Sequence, residues 1–290
     1  MHLRSALRGV IIISMEWKGR RQSTNVEDRR GRSTGKVAVG GGAGAIIIIL
    51  LGLLFGGQFG DILGSAGQML STSTTVASTA AATDEASQFV RVVLADTEDF
   101  WTQEFTSMGK TYHPPTLVLF TGSTSTGSGT ASAATGPFYS PSDKKVYIDL
   151  SFYDELKNRF GAAGDFAQAY VIAHEVGHAV QDQLGILGQV DAAGTNEMSV
   201  RCELQADFLA GVWAHYENTV GFLDKGDVEE ALNAANSIGD DTLQKEAQGY
   251  VVPEKFTHGT SAQRVKWFKL GLTTGDINQG DTFSIPYNQL

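Results

Sequence analysis

Apolar and polar positions along this chain change period several times, and each change marks an element. Across residues 165–185, Phe166, Ala169, Tyr170, Ala173, Gly177, Val180 and Leu184 recur at helical spacing and predict a helix with one buried face. Asp165 followed by Gln168 reads as a capping-box start, and Gly185 as the stop. A second helical run covers about residues 196–217, where Val200, Leu204, Phe208, Gly211 and Val212 are apolar. Further helices are expected over residues 228–238 behind Asp227 and 261–270 behind Thr260, with Asp227/Glu230 and Thr260/Gln263 as capping pairs. Asp240-Asp241 after Gly239 reads as a turn and helix start. Upstream, Phe89, Val90, Val93, Phe100, Trp101 and Phe105 predict one or two helices from about Asp84.

Two stretches read as strands, residues 116–120 and 145–150. Between them, residues 121–136 are rich in Ser, Thr and Gly and predict a long flexible loop. The body is therefore expected to be α+β, a small sheet packed beside helices. Residues 136–150 read equally well as an ordinary core hairpin or as an edge strand offered to an extended peptide, a mode that binds polypeptide with little sequence preference.

The first third follows different rules. Residues 37–55 carry no charge, and Ile46 to Leu51 and Leu53 to Phe55 are continuously apolar. As a helix they would rise about 28 Å, close to the hydrocarbon thickness of a bilayer. A transmembrane helix over residues 37–57 is the resulting expectation, with a core helix and a cleaved signal peptide as its competitors. Residues 58–83 include a Ser/Thr/Ala tract without enough bulky side chains to fold, and read as a linker.

Charge is divided unevenly. Residues 1–36 hold nine basic residues against three acidic, +6, in a chain of −10, so the remainder carries −16. An acidic body argues against nucleic-acid binding. Basic residues before the apolar run and Asp61 after it place the N-terminus in the cytoplasm and the body outside, by the positive-inside rule. The single cysteine, Cys202, excludes an intramolecular disulfide and reads as a small buried hydrophobe.

The candidate chemistry lies in the first predicted helix, where His174-Glu175-Val176-Gly177-His178 reads HExxH. Histidines four apart share a helix face and can bind one metal ion, and the glutamate between them can take a proton from a water on that metal. A buried helix whose histidines bond the backbone is the competing reading of the motif alone. The motif leaves zinc one protein ligand short. Glu203 and Asp207 share a face of the second predicted helix, so Glu203 is expected as third ligand and Asp207 as the carboxylate that orients a ligand histidine, with a solvated acidic face as the competing reading of the pair alone. His215 is rotated about a third of a turn from Glu203, and position 184 is Leu184, so no third histidine completes the motif.

The chain resembles the bacterial neutral zinc metallopeptidases of the YpfJ type. The resemblance begins at Met15 and rests on residues 15–21 and 25–31, Gly136-Pro137-Phe138-Tyr139, residues 146–149, HEVGH, Glu203-Leu204-Gln205-Ala206-Asp207 and residues 256–264. Residues 1–14 are accordingly read as a mis-assigned extension. The glutamate-plus-aspartate block also looks like that of the thermolysin-like gluzincins, which implies Glu203 as ligand and Asp207 as the carboxylate behind it, and a zincin-like fold is expected. Where relatives carry cysteines, this chain has Ser140 and Phe208, and Gly280-Asp281-Thr282-Phe283 also lacks one, so no family disulfide carries over.

The sequence thus predicts four parts: a basic cytoplasmic segment 1–36, a span 37–57 in the bilayer of the inner membrane, a linker 58–83, and an extracytoplasmic Zn²⁺ peptidase domain 84–290. In it His174, His178 and Glu203 bind zinc, Glu175 is the general base, Asp207 supports, and His258 stabilises the oxyanion. Tyr139, Tyr147 and Arg264 are further oxyanion candidates. Peptide or protein is the expected substrate. The rival reading is a non-catalytic envelope protein with a structural zinc that binds a protein or cell-wall partner.

Overall fold

A computed structural model of the protein describes residues 15–31 and 84–290. The expected span, the linker and residues 1–14 lie outside the described residues. Among the described residues no helix is long and apolar enough to cross a membrane.

The architecture is α+β. A four-stranded sheet has the order β1-β2-β6-β5, with β1 (Val26–Asp28), β2 (Thr116–Phe120) and β6 (Lys145–Asp149) parallel and β5 (Phe138–Ser140) antiparallel on one edge. Both long strands match the predicted ones. The expected loop 121–136 instead folds into a hairpin, β3 (Ser123–Thr126) with β4 (Gly129–Ser132), followed by a short 3-10 turn. Only Thr124 and Ala131 of this hairpin are buried, so its Ser/Thr/Gly composition offers no apolar alternation to read.

The helices follow in chain order. Helix α1 (Glu85–Ser107) is one continuous helix capped by Asp84, whose side chain accepts the Ser87 N–H at 2.8 Å. After α2 (Ser151–Asn158), α3 (Asp165–Gln183) carries the HExxH segment, and a short α4 (Ile186–Ala193) leads to α5 (Asn196–Thr219). Helices α6 (Asp227–Ser237), α7 (Asp240–Gln248) and α8 (Ser261–Thr274) complete the body. From Phe166 to Gln181 helix α3 is buried except at Gln168, because α1, α5, α6 and β5 all pack on it. The most extensive helix contact joins α5 to α8. There Gly211 and Gly271 face each other's backbones, and a methyl on either would overlap main-chain atoms of the opposite helix.

The caps divide. Thr260 and Gln263 form the expected capping box. Asp165 and Asp227 do not cap their own helices, whose N-caps are Gly164 and Gly226. Glu230 instead reaches from α6 to the start of α3, where it accepts the Phe166 N–H at 3.1 Å. Asp165 accepts the Met15 N–H and Asp227 that of Asp224, so three neighbouring carboxylates each hold a piece of backbone.

Residues 15–31, expected as a segment separate from the body, are part of it. Met15 and Trp17 enter the main core, and β1 pairs with β2 in the register Val26↔Leu117 to Asp28↔Leu119. The body therefore comprises residues 15–31 as well as 84–290.

Candidate metal centre

Helices α3 and α5 meet at Gly177 and Ala206. A methyl on Gly177 would stand 3.2 Å from the Ala206 carbonyl oxygen and 3.3 Å from its Cα, so the glycine allows the closest approach of the two backbones. Gly177 lies next to His178, and Ala206 lies next to Asp207, so this crossing brings the two motifs into register. The Glu203 carboxylate reaches both imidazoles, with Oε2 at 3.1 Å from His174 Nε2 and Oε1 at 3.5 Å from His178 Nε2. Donor atoms of His174, His178 and Glu203 all lie within 4.8 Å of one another. A tetrahedral zinc site with bonds of about 2.0–2.1 Å has ligand–ligand edges of roughly 3.3–3.4 Å. The observed separations bracket that value, and the donor set of two imidazoles and a carboxylate suits zinc.

The outer nitrogens of both rings are held, which directs Nε2 inward. His174 Nδ1 lies 2.9 Å from Asp207 Oδ1, and His178 Nδ1 lies 2.8 Å from Gln181 Oε1. Asp207 is itself buried among donors. Arg264 gives it Nε at 2.8 Å and Nη2 at 2.9 Å, and the Tyr170 hydroxyl donates at 2.5 Å. Burial would raise the Asp207 carboxyl, but Arg264 and His174 outweigh burial and hold it at about 2. Burial lowers His174, and Asp207 and Glu203 more than reverse it, pushing the ring up to about 10. Those two carboxylates thus call for positive charge at this place, a proton or a metal.

Glu175 is buried, and burial raises its carboxyl above the ordinary range against the pull of the two histidines. Its carboxylate also interacts with the backbone N–H of Tyr139 on β5, which brings the outer edge of that strand to the centre. His258 is buried, with Nδ1 held by Thr257 Oγ1 at 2.9 Å and Asp240 Oδ1 at 3.3 Å. Burial lowers its pKa, but Glu203 and Asp240 together raise it, so the ring sits within electrostatic reach of the third ligand.

The sequence-predicted residues His174, Glu175, His178, Glu203, Asp207 and His258 therefore gather around one point. Three other candidates have their polar groups engaged by other partners. Arg264 is spent on Asp207, the Tyr139 hydroxyl donates to Asp182 at 2.6 Å, and the Tyr147 hydroxyl donates to Asp143 at 2.6 Å. His215 bonds the Leu272 carbonyl at 2.8 Å, away from the ligands as its helical phase required.

Two contributors escaped the sequence reading. Gln181 holds His178, donates to the Cys202 carbonyl and Gln205, and accepts from the buried Cys202 thiol at 3.3 Å. Its position three residues after His178, on the same helix face, was a usable signal. Tyr170 lies four residues before His174 and reads from sequence only as a core position.

Fold and site together define a class: an α+β protein in which an HExxH helix and a glutamate from a second helix present one candidate metal centre. The chain belongs to the family described as "putative neutral zinc metallopeptidase", whose pattern matches residues 15–283, and Zn²⁺ is the cofactor expected of its members. It is 51% identical over 284 aligned residues to the uncharacterized protein YpfJ of Escherichia coli K12, covering 93% of this chain and 99% of that one. It is 47% identical over 186 residues to the uncharacterized protein Rv2575 of Mycobacterium tuberculosis H37Rv, covering 60% of this chain and 64% of that one. No solved structure matches the chain.

Proposed function

We propose that this protein is a zinc-dependent endopeptidase in which His174, His178 and Glu203 hold the metal and Glu175 is the general base. The observation that carries this reading is the convergence of these three donors within 4.8 Å, with the buried Glu175 on the same helix turn. When bound, zinc supplies a Lewis acid that polarises the scissile carbonyl and makes a water acidic. Glu175, raised by burial, accepts a proton from the attacking water and passes it to the leaving amine. Asp207 keeps His174 in the tautomer with hydrogen on Nδ1, and Gln181 does the same for His178. His258, fixed through Nδ1 by Asp240, offers Nε2 to the developing oxyanion.

The edge strand β5 supplies a peptide-binding element. It pairs with β6 through Phe138↔Tyr147 and Ser140↔Lys145, and its other side faces Glu175. A substrate added along that side would bring its backbone past the base, with binding through main-chain groups. The rival reading, a structural zinc, needs a closed set of four protein ligands. Among the described residues the cluster offers three, and Glu175 would be left without a task.

The test is cleavage of a mixed peptide library by the zinc-loaded full chain beside Glu175→Gln and Glu203→Ala. Glu175→Gln should keep stoichiometric zinc and lose turnover, and Glu203→Ala should lose zinc. Equal cleavage by Glu175→Gln would overturn the mechanism, and normal zinc content in Glu203→Ala would overturn the ligand assignment.

A further inference from the structure

His178 is oriented by a relay that ends outside the two metal-site helices. Its Nδ1 lies 2.8 Å from Gln181 Oε1, and the Gln181 amide nitrogen donates to the Cys202 carbonyl at 2.8 Å and to Gln205 Oε1 at 3.0 Å. The Gln205 amide nitrogen in turn donates to the Gly280 carbonyl at 3.0 Å. The relay therefore runs from a histidine on α3, through α5, to the C-terminal segment beyond α8.

The direction of each bond in this relay is settled by carbonyls. A backbone carbonyl only accepts, so the Gly280 carbonyl turns the Gln205 NH2 group toward itself and leaves Gln205 Oε1 facing Gln181. The Cys202 carbonyl and Gln205 Oε1 are both acceptors, so the Gln181 NH2 group points to them and its Oε1 points to His178. An amide oxygen at Nδ1 selects the tautomer with hydrogen there and leaves the Nε2 lone pair for a metal. A reversed Gln205 would set its NH2 group against that of Gln181. A reversed Gln181 would offer His178 Nδ1 a donor and favour hydrogen on Nε2, where it blocks the metal.

Residues 280–290 hold the last carbonyl of the relay in place. Arg201, Gln205 and Phe208 lie at i, i+4 and i+7 on one face of α5, and the segment runs along that face. Arg201 Nη1 donates to the Thr282 carbonyl and, at 2.9 Å, to the Ile285 carbonyl. The Thr282 hydroxyl donates back to the Arg201 carbonyl at 2.6 Å, and Lys266 Nζ donates to the Gln289 carbonyl at 2.6 Å. A Cβ on Gly280 would stand 2.4 Å from the Phe208 ring, so only a residue without a side chain brings its carbonyl this close to the helix. Apart from Gly280, Thr282 and Leu290 the segment is exposed or half-buried, so polar contacts are its main fastening.

We propose that residues 280–290 are a positioning strap for the metal centre. The Gly280 carbonyl orients Gln205, Gln205 orients Gln181, and Gln181 holds His178 with Nε2 free for zinc. This role rests on His178 being a zinc ligand. It makes Gln205 and the strap positioning groups that touch neither metal nor substrate.

Zinc affinity of the full chain is measured by competition with a chelator, and the stability of the zinc-free protein by urea unfolding. Gln205→Met cuts the relay and should weaken zinc about 10–100-fold. Arg201→Met loosens the strap while keeping Gln205, and should weaken zinc in the same direction. Because the strap reaches zinc only through Gln205, adding Arg201→Met to Gln205→Met should weaken zinc no further, even where it lowers the urea midpoint. Gln205→Glu is the rescue. Its carboxylate accepts from Gln181 with either oxygen and needs no carbonyl to turn it, so zinc affinity should return close to the wild-type value without the bond to Gly280. Zinc losses that add in the double variant overturn the proposal, as does a loss that Gln205→Glu does not restore. His178→Ala separates the two levels. Zinc lost there, beside wild-type affinity in Gln205→Met, overturns the strap alone, whereas zinc kept there overturns the ligand assignment and the strap with it.

Discussion

Replacing the two charges behind His174 one at a time and then together tests the logic of the centre. Asp207 and Arg264 are both fully buried and share two short contacts, 2.8 Å and 2.9 Å. Arg264→Met leaves the Asp207 carboxylate in the core with only the Tyr170 hydroxyl and the His174 ring, which amounts to an uncompensated buried charge and costs about 3–5 kcal/mol. Asp207→Asn strands the guanidinium at a similar cost. It also replaces the carboxylate on His174 by an amide, which should weaken zinc about 10–100-fold. The double variant removes both charges, and an amide oxygen at position 207 still accepts from His174 Nδ1. Its cost should therefore be about that of one single variant or less, giving a coupling of roughly 3 kcal/mol between the sites. Urea unfolding of zinc-free protein reads the stabilities, and competition with a chelator reads the zinc affinity. If the two single costs add in the double variant to within about 0.5 kcal/mol, the pair is not an isolated buried couple and the account of how Asp207 is held fails.

Three further outcomes follow from other parts of the molecule. His258→Gln should lower kcat by about 10²–10³ while zinc content stays at the wild-type value; an unchanged kcat on peptide would remove His258 from the mechanism. Gly211→Ala should destabilise the fold by about 2–3 kcal/mol through overpacking against the Phe268 backbone, seen as a lowered Tm, and an unchanged Tm would mean that α5 and α8 do not approach so closely. Burial, followed by Asp165 and Asp227, pushes Glu230 up from 4.5 to about 7, so the folded state binds a proton that the unfolded chain has lost. Its stabilising contribution is complete below pH 4.5 and disappears as pH rises through about 7. Glu230→Gln should therefore raise the unfolding free energy at pH 8 more than at pH 5, by on the order of 1 kcal/mol once solvent screening of this half-buried group is allowed for, read by urea unfolding at both pH values; an equal effect at both would refute the assignment.

The parts legible in the sequence are those whose causes are local. HExxH and the Glu203/Asp207 pair are i, i+4 spacings, and a helix turns such spacings into shared faces without help from the rest of the chain. The Thr260/Gln263 box is likewise closed within one turn, by Gln263 N on Thr260 Oγ1 at 3.2 Å and Thr260 N on Gln263 Oε1 at 2.8 Å. Apart from the local hairpin within residues 121–136, the misreadings are cases in which a group found a distant partner. Glu230 caps α3 and not its own helix, Arg264 binds Asp207, and Val26-Glu27-Asp28, with no apolar alternation, becomes a strand by pairing its backbone with β2. The side chain alone does not show which acceptor a donor will take, and only the tertiary packing decides it.

The same distinction explains the uneven charge. A basic leading segment before an acidic body looks, residue by residue, like two compartments. In the structure the acids that make the body negative include Asp96, Glu98 and Asp99 on one stretch of α1, and the bases that answer them are Arg20 and Arg21. Burial, and then the neighbouring Glu217, pushes Asp96 up to about 8, so these acids are unfavourable for the body on its own and Arg20 offsets part of that penalty. Because Arg20 bridges α1 to Glu217 on α5, the helix that also carries Glu203 and Asp207, the leading segment braces the far end of a metal-site helix. Charge asymmetry between two segments is therefore as much a sign of intramolecular pairing as of separation. Here the burial of Asp96 and Glu217 decides in favour of pairing, since acids meant to face water would not need a guanidinium delivered from the start of the chain.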